Sequence, residues 1–151
     1  ANLNLGLLLA EQQKMDGAER ALKITLQVNP KQAVAAYNLS VITASRSVKE
    51  AVDYAEIAAE AMPGEPKYAY TLAFYQNQDN QKNEAVKTLQ KLLKSNPEYL
   101  SAVSFLADIY VKDGKKQEAI KVYQQALKEE RITERDKTAI HLSIAVLQQG
   151  L

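Results

Sequence analysis

The amino-acid sequence predicts an all-α fold of stacked helical hairpins, and three observations support this prediction. An anchor alanine returns every 33 or 34 residues, at Ala18, Ala51, Ala85 and Ala119. Prolines keep nearly the same period, at Pro30, Pro63 and Pro97. Strand signals are missing, because no period-two alternation lasts long enough and no Asn-Gly hairpin turn occurs. A period of this length indicates one supersecondary unit copied end to end.

Each period contains two helical patterns separated by a short polar break. We predict four such pairs and one unpaired last helix, with about four-fifths of the chain in helices, well above the usual third or so. The repeats are expected as a single array at about 1–30, 31–64, 65–97 and 98–131, followed by a partial unit at 133–151. The sequence begins and ends inside a repeat, so we expect it to be a segment of a longer protein.

Local signals in the sequence mark where several helices begin and end. The apolar stretch Leu3–Ala10 has no basic leader and fits the first helix of a repeat better than a signal peptide. Ser47 to Glu50 reads as a capping box that opens a helix. Pro66 suits the first turn of the next helix, where its missing N–H costs nothing. The periodic prolines stop second helices, because the residue before proline avoids helical geometry.

The fourth unit shows the pattern most clearly. Its first helix carries apolar residues at helical spacing, at Val103, Leu106, Ala107 and Tyr110. Its second helix carries a similar stripe, at Ala119, Ile120, Tyr123, Ala126 and Leu127. Between them Gly114 suits a left-handed turn position, and we expect Gly17 and Gly64 at turns as well. A second capping box at Thr133 to Asp136 predicts a last helix at roughly 134–149.

Composition narrows the classes of function. There are 19 basic and 18 acidic side chains, which argues against nucleic acid or an anionic membrane as the main partner. The chain has no cysteine and a single histidine, His141, so thiolate and paired-histidine metal sites are excluded. No nucleophile, base and orienting group can be assembled, and no Gly-rich phosphate loop occurs. We therefore expect no enzymatic activity and no cofactor. We also expect no direct insertion into a membrane, because no run of eighteen or more apolar residues occurs.

The units resemble tetratricopeptide repeats. The family places a large residue and a small residue side by side in the first helix, and here these pairs are Leu5-Gly6, Leu39-Ser40, Leu72-Ala73 and Leu106-Ala107. The small residue is expected to let the paired helix approach closely. A further large and a further small residue follow the anchor alanine of the second helix, and a proline closes the unit. The resemblance recurs four times in phase, and pentatricopeptide and Sel1-like repeats are the near alternatives.

Some positions depart from the family pattern. Ala55 replaces the large residue in the second unit, and this unit is one residue shorter at its turn. Thr25 and Leu92 occupy the second small position in the first and third units. Arg131 stands where a fourth proline is expected, which predicts an irregular join at 130–135.

The resemblance implies a right-handed superhelix whose first helices line a concave groove that binds an extended peptide or a partner protein. Transfer of the family's inward positions gives the expected groove residues: Tyr37, Asn38, Val41, Lys67, Tyr70, Thr71, Phe74, Ser104 and Asp108. The aromatic residues among them suit anchors for a partner, since aromatic side chains lose little rotamer freedom on binding. The clamp that some family members use for chaperone tails is not expected, because only Asn38 and Lys67 match it.

Two further interpretations stay open. The chain is alternatively a structural spacer or assembly segment of a larger extracytoplasmic or membrane-associated protein. Self-association is the second, because the apolar residues at the ends of the array lack part of their expected neighbours. These are Leu3 and Leu7 at one end and Ile140, Ile144 and Leu147 at the other.

Overall fold

The computed structural model describes residues 1–150, and these form nine α-helices and no strand. Helices α1 to α9 span Asn2–Glu11, Met15–Val28, Ala33–Thr43, Val48–Ala61, Pro66–Gln78, Lys82–Ser95, Leu100–Lys112, Lys116–Leu127 and Glu134–Gln148. The predicted all-α repeat fold of four helical hairpins and a last helix is therefore confirmed for this part of the chain.

The chain divides into two compact units, and the boundary lies within α6. The first unit is Ala1–Ala85 and the second begins at Val86. In the first unit, extensive contacts join α1 with α2, α2 with α3, α3 with α4 and α4 with α5. In the second unit, they join α7 with α8 and α8 with α9. Packing between sequence neighbours is the pattern of a repeat array. That the two units form one continuous array remains a prediction.

Small residues allow the helices of a hairpin to pack closely. Gly6 on α1 faces Leu22 on α2 so tightly that a Cβ atom at Gly6 would lie 2.7 Å from the Leu22 Cγ. Ser40, Ala73 and Ala107, which follow the matching leucines in the other units, are fully buried. The four periodic alanines are also fully buried. A side chain larger than the one present at each of these positions would separate the paired helices.

Three of the four repeats turn between their helices through the same left-handed geometry. Gln13, Asn80 and Gly114 have φ values of 59°, 60° and 76°, and each lies two residues after its first helix ends. The next amide donates back into that helix, as Lys115 N–H does to the Tyr110 carbonyl at 2.8 Å. This is the Schellman arrangement, which satisfies the last helical carbonyl groups. The left-handed position predicted at Gly114 is confirmed.

The second repeat makes a shorter turn of a different kind. Ala44 keeps helical dihedral angles, and the amide of Ser47 donates to the Thr43 carbonyl at 2.8 Å. The Ser47 side chain then accepts a hydrogen bond from the Glu50 amide at 3.2 Å and caps α4. The N-cap at Ser47 is therefore confirmed, but the Ser47 amide bonds to Thr43 and the Glu50 carboxylate to Arg46, so the reciprocal bond of the predicted capping box does not form. The missing residue of this repeat corresponds to the missing left-handed position.

An ion cluster fastens this short turn to the preceding repeat. Arg46 donates from both terminal nitrogens to the Glu19 carboxylate of α2, at 3.0 and 2.9 Å. Lys23 lies 2.6 Å from the same carboxylate, and Arg46 also contacts Glu50 at 3.0 Å. Because Arg46 and Lys23 stabilise the ionised form, they lower the pKa of Glu19 from 4.5 to about 2. Bidentate pairing fixes the orientation of both partners as well as their distance.

The predicted irregular join precedes the last helix. Ile132 is buried in the core of the second unit, and the Thr133 side chain caps α9 by accepting from the Asp136 amide at 3.2 Å. Arg131, in the place of the expected proline, reaches Glu98 at 3.1 Å. The side chains of Ile132 and Arg131 therefore hold this segment where a proline closes the other units.

Two expectations from the sequence are wrong. Gly17 does not lie at a turn but is the third residue of α2, because the left-handed position at Gln13 completes the reversal earlier. Ile140 and Ile144 are not exposed ends of the array, since they are buried in the core of the second unit with Tyr123 and Ile132. The apolar side chains that α9 exposes are instead those of Leu142 and Val146.

We expect Gly6→Ala to lower the free energy of unfolding by about 1 kcal/mol. Overpacking against Leu22 costs about 1–3 kcal/mol, and the better helix propensity of alanine offsets about 1 kcal/mol of it. Urea unfolding followed by circular dichroism measures the change. Gly64→Ala is a control for the added methyl group alone, because this residue lies in a turn and a Cβ atom there meets no neighbour within 4 Å. Equal or greater stability of Gly6→Ala would contradict the close approach.

We expect Glu19→Gln to lower the free energy of unfolding at neutral pH by about 1–2 kcal/mol, since it removes charge-assisted hydrogen bonds to Arg46 and Lys23. The folded pKa of Glu19 is lowered, so its contribution is present above pH 4.5 and is lost as the pH falls through about 2.

Urea titrations at neutral pH and at several values between pH 4.5 and pH 2 measure this effect. The difference between the parent and Glu19→Gln should shrink across that window. Glu56→Gln, an exposed change on α4, is the control and should leave the pH profile unaltered. A constant difference at every pH would rule out the ion cluster as its source.

Candidate functional site

Two first helices of the first unit, α3 and α5, share an aromatic contact. The rings of Tyr37 on α3 and Tyr68 on α5 lie with centroids 5.4 Å apart at an angle of 45°. Tyr68 is buried and Tyr37 is half-buried, so the pair joins the core to the surface. Tilted aromatic pairs of this separation are favourable beyond the area that they bury. The contact fixes where the exposed sides of these two helices lie.

A cation lies on this aromatic pair. The Lys67 ammonium is 4.7 Å from the centroid of the Tyr37 ring and 5.3 Å from that of Tyr68. The electron-rich ring faces attract the cation, and such a contact contributes about 0.5–1 kcal/mol at an exposed site. Lys67 is itself exposed and forms no ion pair within residues 1–150. Its charge is therefore held in place and stays accessible to an incoming ligand.

Polar residues beside this contact bond to their own helix. The Asn38 side-chain amide donates to the Val34 carbonyl at 2.8 Å, and the Thr71 hydroxyl donates to the Lys67 carbonyl at 2.9 Å. The bond of Asn38 uses one of its amide hydrogens. Both side chains are oriented by these bonds and half-buried.

Apolar side chains extend the surface along both helices. Val41 is 49% exposed and follows Tyr37 by one helical turn, and Phe74 is 41% exposed and follows Lys67 by two turns. Phe74 packs edge to face on Tyr75 with ring centroids 5.5 Å apart. Burial raises the pKa of the Tyr75 hydroxyl. We call this surface the α3–α5 face, and it consists of Tyr37, Asn38, Val41, Lys67, Tyr70, Thr71 and Phe74.

The other two predicted groove residues lie in the second unit. Ser104 and Asp108 are exposed and lie one turn apart on α7. Burial raises the pKa of the neighbouring Tyr123 hydroxyl, and the Ser143 and Ser104 side chains partly offset that effect. The structure thus brings Ser104 and Asp108 to one helix face beside Tyr123. That these two residues share a groove with the α3–α5 face remains a prediction.

One member of the aromatic contact is absent from the predicted groove. Tyr68 is adjacent in sequence to Lys67, and transfer of family positions assigned no inward role to it. Its position near the start of a first helix could have indicated its role, because the buried Ala33 and Ala36 of α3 leave space there for a large ring. Lys67 reaches both rings because Tyr68 fills this space.

Residues 1–150 contain neither a candidate metal cluster nor a candidate membrane-spanning helix. Nowhere in this range do three or more His, Asp or Glu side chains cluster in a way that would hold a metal ion. No helix in the same range has the length and apolar character needed to cross a bilayer.

Comparison with known families explains the repeated hairpins. Residues 3–66 match the model of the tetratricopeptide repeat. Residues 44–126 match a model of the same repeat type, described as anaphase-promoting complex, cyclosome, subunit 3. The chain belongs to the tetratricopeptide-repeat family. This confirms the resemblance drawn from the sequence, and members of the family are typically scaffolds without catalytic activity.

Solved structures show the same fold. A crystal structure of MamA protein superposes with a TM-score of 0.79 at 19% identity, covering 99% of this chain and 80% of MamA. MamA from Desulfovibrio magneticus gives a TM-score of 0.71 at 20% identity, with coverage of 86% and 74%. YrrB, described as a TPR protein with an unusual peptide-binding site, gives 0.70 at 20% identity, with coverage of 85% and 67%. No curated protein sequence matches this chain.

We expect the ε-methylene protons of Lys67 to resonate upfield of those of Lys31, because only Lys67 lies over aromatic ring faces. Carbon–proton NMR spectra of the chain measure both signals. Tyr37→Leu should move the Lys67 signal towards that of Lys31, which is exposed and serves as the internal control. Identical shifts for the two lysines in the parent chain would contradict the cation–π contact.

Proposed function

We propose that this chain is a protein-interaction module that binds an extended peptide segment of a partner along the α3–α5 face. Membership of the tetratricopeptide-repeat family supports an interaction role in general. The choice of this face is our own inference, and it concerns the first unit alone. No chemistry is needed for the proposed role, since binding alone brings partners together.

The contact of Lys67 with Tyr37 and Tyr68 carries this proposal. It holds a cation and an amphipathic ring at a fixed place between two helices, so little side-chain entropy is lost when a ligand binds. Exposed Val41 and Phe74 flank this centre with apolar surface. Aromatic anchors surrounded by smaller contacts are typical of interface hot spots.

A ligand that fits this face combines apolar side chains with hydrogen-bond acceptors along its length. Apolar side chains of a peptide would cover Val41 and Phe74, and a carbonyl or carboxylate oxygen would approach Lys67. The YrrB structure is described as having an unusual peptide-binding site, which supports peptide binding on this fold without locating the site here. We therefore propose a peptide with spaced apolar residues as the ligand class.

Peptide selection tests the proposal. Random peptides displayed on phage are selected on the immobilised chain, and the affinities of the selected peptides are measured by fluorescence anisotropy. We expect the double variant Val41→Ser/Phe74→Ser to weaken binding at least about ten-fold, because it removes two exposed apolar contacts near the aromatic centre.

The matched control is Leu142→Ser/Val146→Ser on α9, whose side chains are 66% and 43% exposed in the parent. It should leave the affinity within about two-fold, since it removes a similar apolar surface elsewhere. Circular dichroism should give equal helix content for all three proteins. Selection of no saturable binder, or loss of binding only in the α9 variant, would overturn the assignment of this face.

A further inference from the structure

The second unit contains a cleft of about 720 Å³ that none of the predicted groove residues lines. Two second helices, α6 and α8, form its walls together with part of α7. This size falls within the range of about 300–1,000 Å³ that is usual for ligand sites. We call it the α6–α8 cleft, and the residues that line it include Leu93, Lys94, Leu106, Tyr110, Lys121 and Val122.

Helical spacing explains why these residues meet. On α6, Gln90 precedes Leu93 and Lys94 by three and four positions, and on α8, Glu118 precedes Lys121 and Val122 by the same spacings. Residues three or four positions apart continue each row, so both walls combine apolar and charged side chains. Leu106, on α7, is the apolar residue between the two walls.

The cleft has an apolar base that continues the core. Leu106 is 3% exposed, and Leu93 and Val122 pack against the buried cluster of the second unit while staying partly exposed. The Gln90 side-chain amide donates to the Tyr110 hydroxyl at 3.1 Å. Tyr110 is thereby held at the cleft. An apolar side chain of a ligand would find partners here that water does not provide.

Positively charged side chains outnumber negatively charged ones around this apolar base. Lys94, Lys121 and Lys128 line the cleft, and none of them forms an ion pair within residues 1–150. The acidic residues that line the cleft are Glu118 and Glu129. Glu129 is already paired with Arg131, whose Nε and backbone amide both donate to its carboxylate. This contact lowers the pKa of Glu129. The cleft therefore has more cations than anions available to a ligand.

We propose that the α6–α8 cleft is a second binding site, independent of the α3–α5 face, for an acidic peptide that carries a large apolar side chain. The apolar side chain enters between Leu93 and Val122, and flanking carboxylates pair with Lys94 and Lys121. Complementary charges across such a contact select the ligand and speed its association. A cationic peptide is repelled by the same lysines.

A nucleic acid fits the cleft less well. Single strands are held by several aromatic rings on which bases stack. Tyr110 is the aromatic residue that lines this cleft, and its hydroxyl is already bonded to Gln90. The apolar base formed by Leu93, Leu106 and Val122 also offers a phosphate chain no contact.

Fluorescence anisotropy on the full chain tests this site with defined probes. The probe is a fluorescein-labelled peptide of alternating glutamate and leucine. The comparison peptides alternate lysine with leucine, or glutamate with serine. We expect saturable binding of the glutamate–leucine peptide at least about ten-fold tighter than of either comparison peptide, because only it matches both charge and apolar base.

Variants then locate the site. Lys94→Glu/Lys121→Glu should weaken binding of the probe at least about ten-fold, since two favourable charge pairs become repulsive. Lys121→Arg should retain it. Lys91→Glu, an exposed change on α6 outside the cleft, is the matched control for the single variant Lys94→Glu, since each replaces one lysine of α6 by glutamate. Thermal unfolding establishes that each variant is folded.

Four outcomes of the binding measurements would overturn the proposal. They are no saturable binding of the probe, equal binding of a comparison peptide, equal loss in Lys91→Glu, and tighter binding of a single-stranded oligonucleotide through Lys94 and Lys121. Amide shifts in NMR spectra provide the location directly. Shifts at Leu106 and Val122 support the cleft, and shifts confined to α3 and α5 contradict it.

Discussion

The close approach of paired helices is the constraint on which the rest of the structure depends. It is seen most directly where Gly6 leaves no space for a Cβ atom against Leu22, and where each anchor alanine is fully buried. Small residues at these positions bring two helix backbones together, and larger apolar residues one turn away then fill the remaining volume. Val41 and Phe74 directly follow the small residues Ser40 and Ala73, so they lie about 100° further round their helices and are exposed.

Polar groups are arranged to tolerate this dense packing. Ser40 and Thr43 are fully buried on α3, and their hydroxyls donate to the Tyr37 and Leu39 carbonyls of the same helix at 2.6 and 2.8 Å. Neither hydroxyl needs a partner from another helix, because a buried hydroxyl is costly only when its hydrogen bond is missing. The carboxylate of the buried Glu19 is instead stabilised by partners from side chains, namely Arg46 from the following turn and Lys23 from its own helix.

The sequence predicts features that depend on local chemistry. The caps at Ser47 and Thr133, the proline that begins α5 and the left-handed Gly114 were all predicted from neighbouring residues, and the structure confirms them. The left-handed positions of Gln13 and Asn80 were not predicted, because glutamine gives no signal for this geometry and asparagine only a weak one.

Contacts between residues that lie far apart in the chain could not be predicted from the sequence. The pairing of Tyr37 with Tyr68 depends on how two helices rotate about their axes, and a shift of one position moves a side chain to another face. Glu19 and Arg46 are 27 residues apart, and no pattern in the chain links them. The burial of Ile140 was missed for a similar reason, since it follows from the path of the join before α9.

Because each helix packs mainly on the helices next to it in the chain, the contacts within each unit are local, and this affects the rate of folding. Within each unit the extensive helix contacts join consecutive helices, so the chain closes only short loops as these contacts form. Short loops lose little entropy on closure, and proteins dominated by such contacts reach the native state faster than sheet proteins of similar size. Folding of each unit should therefore be able to start at any one hairpin and spread to the next.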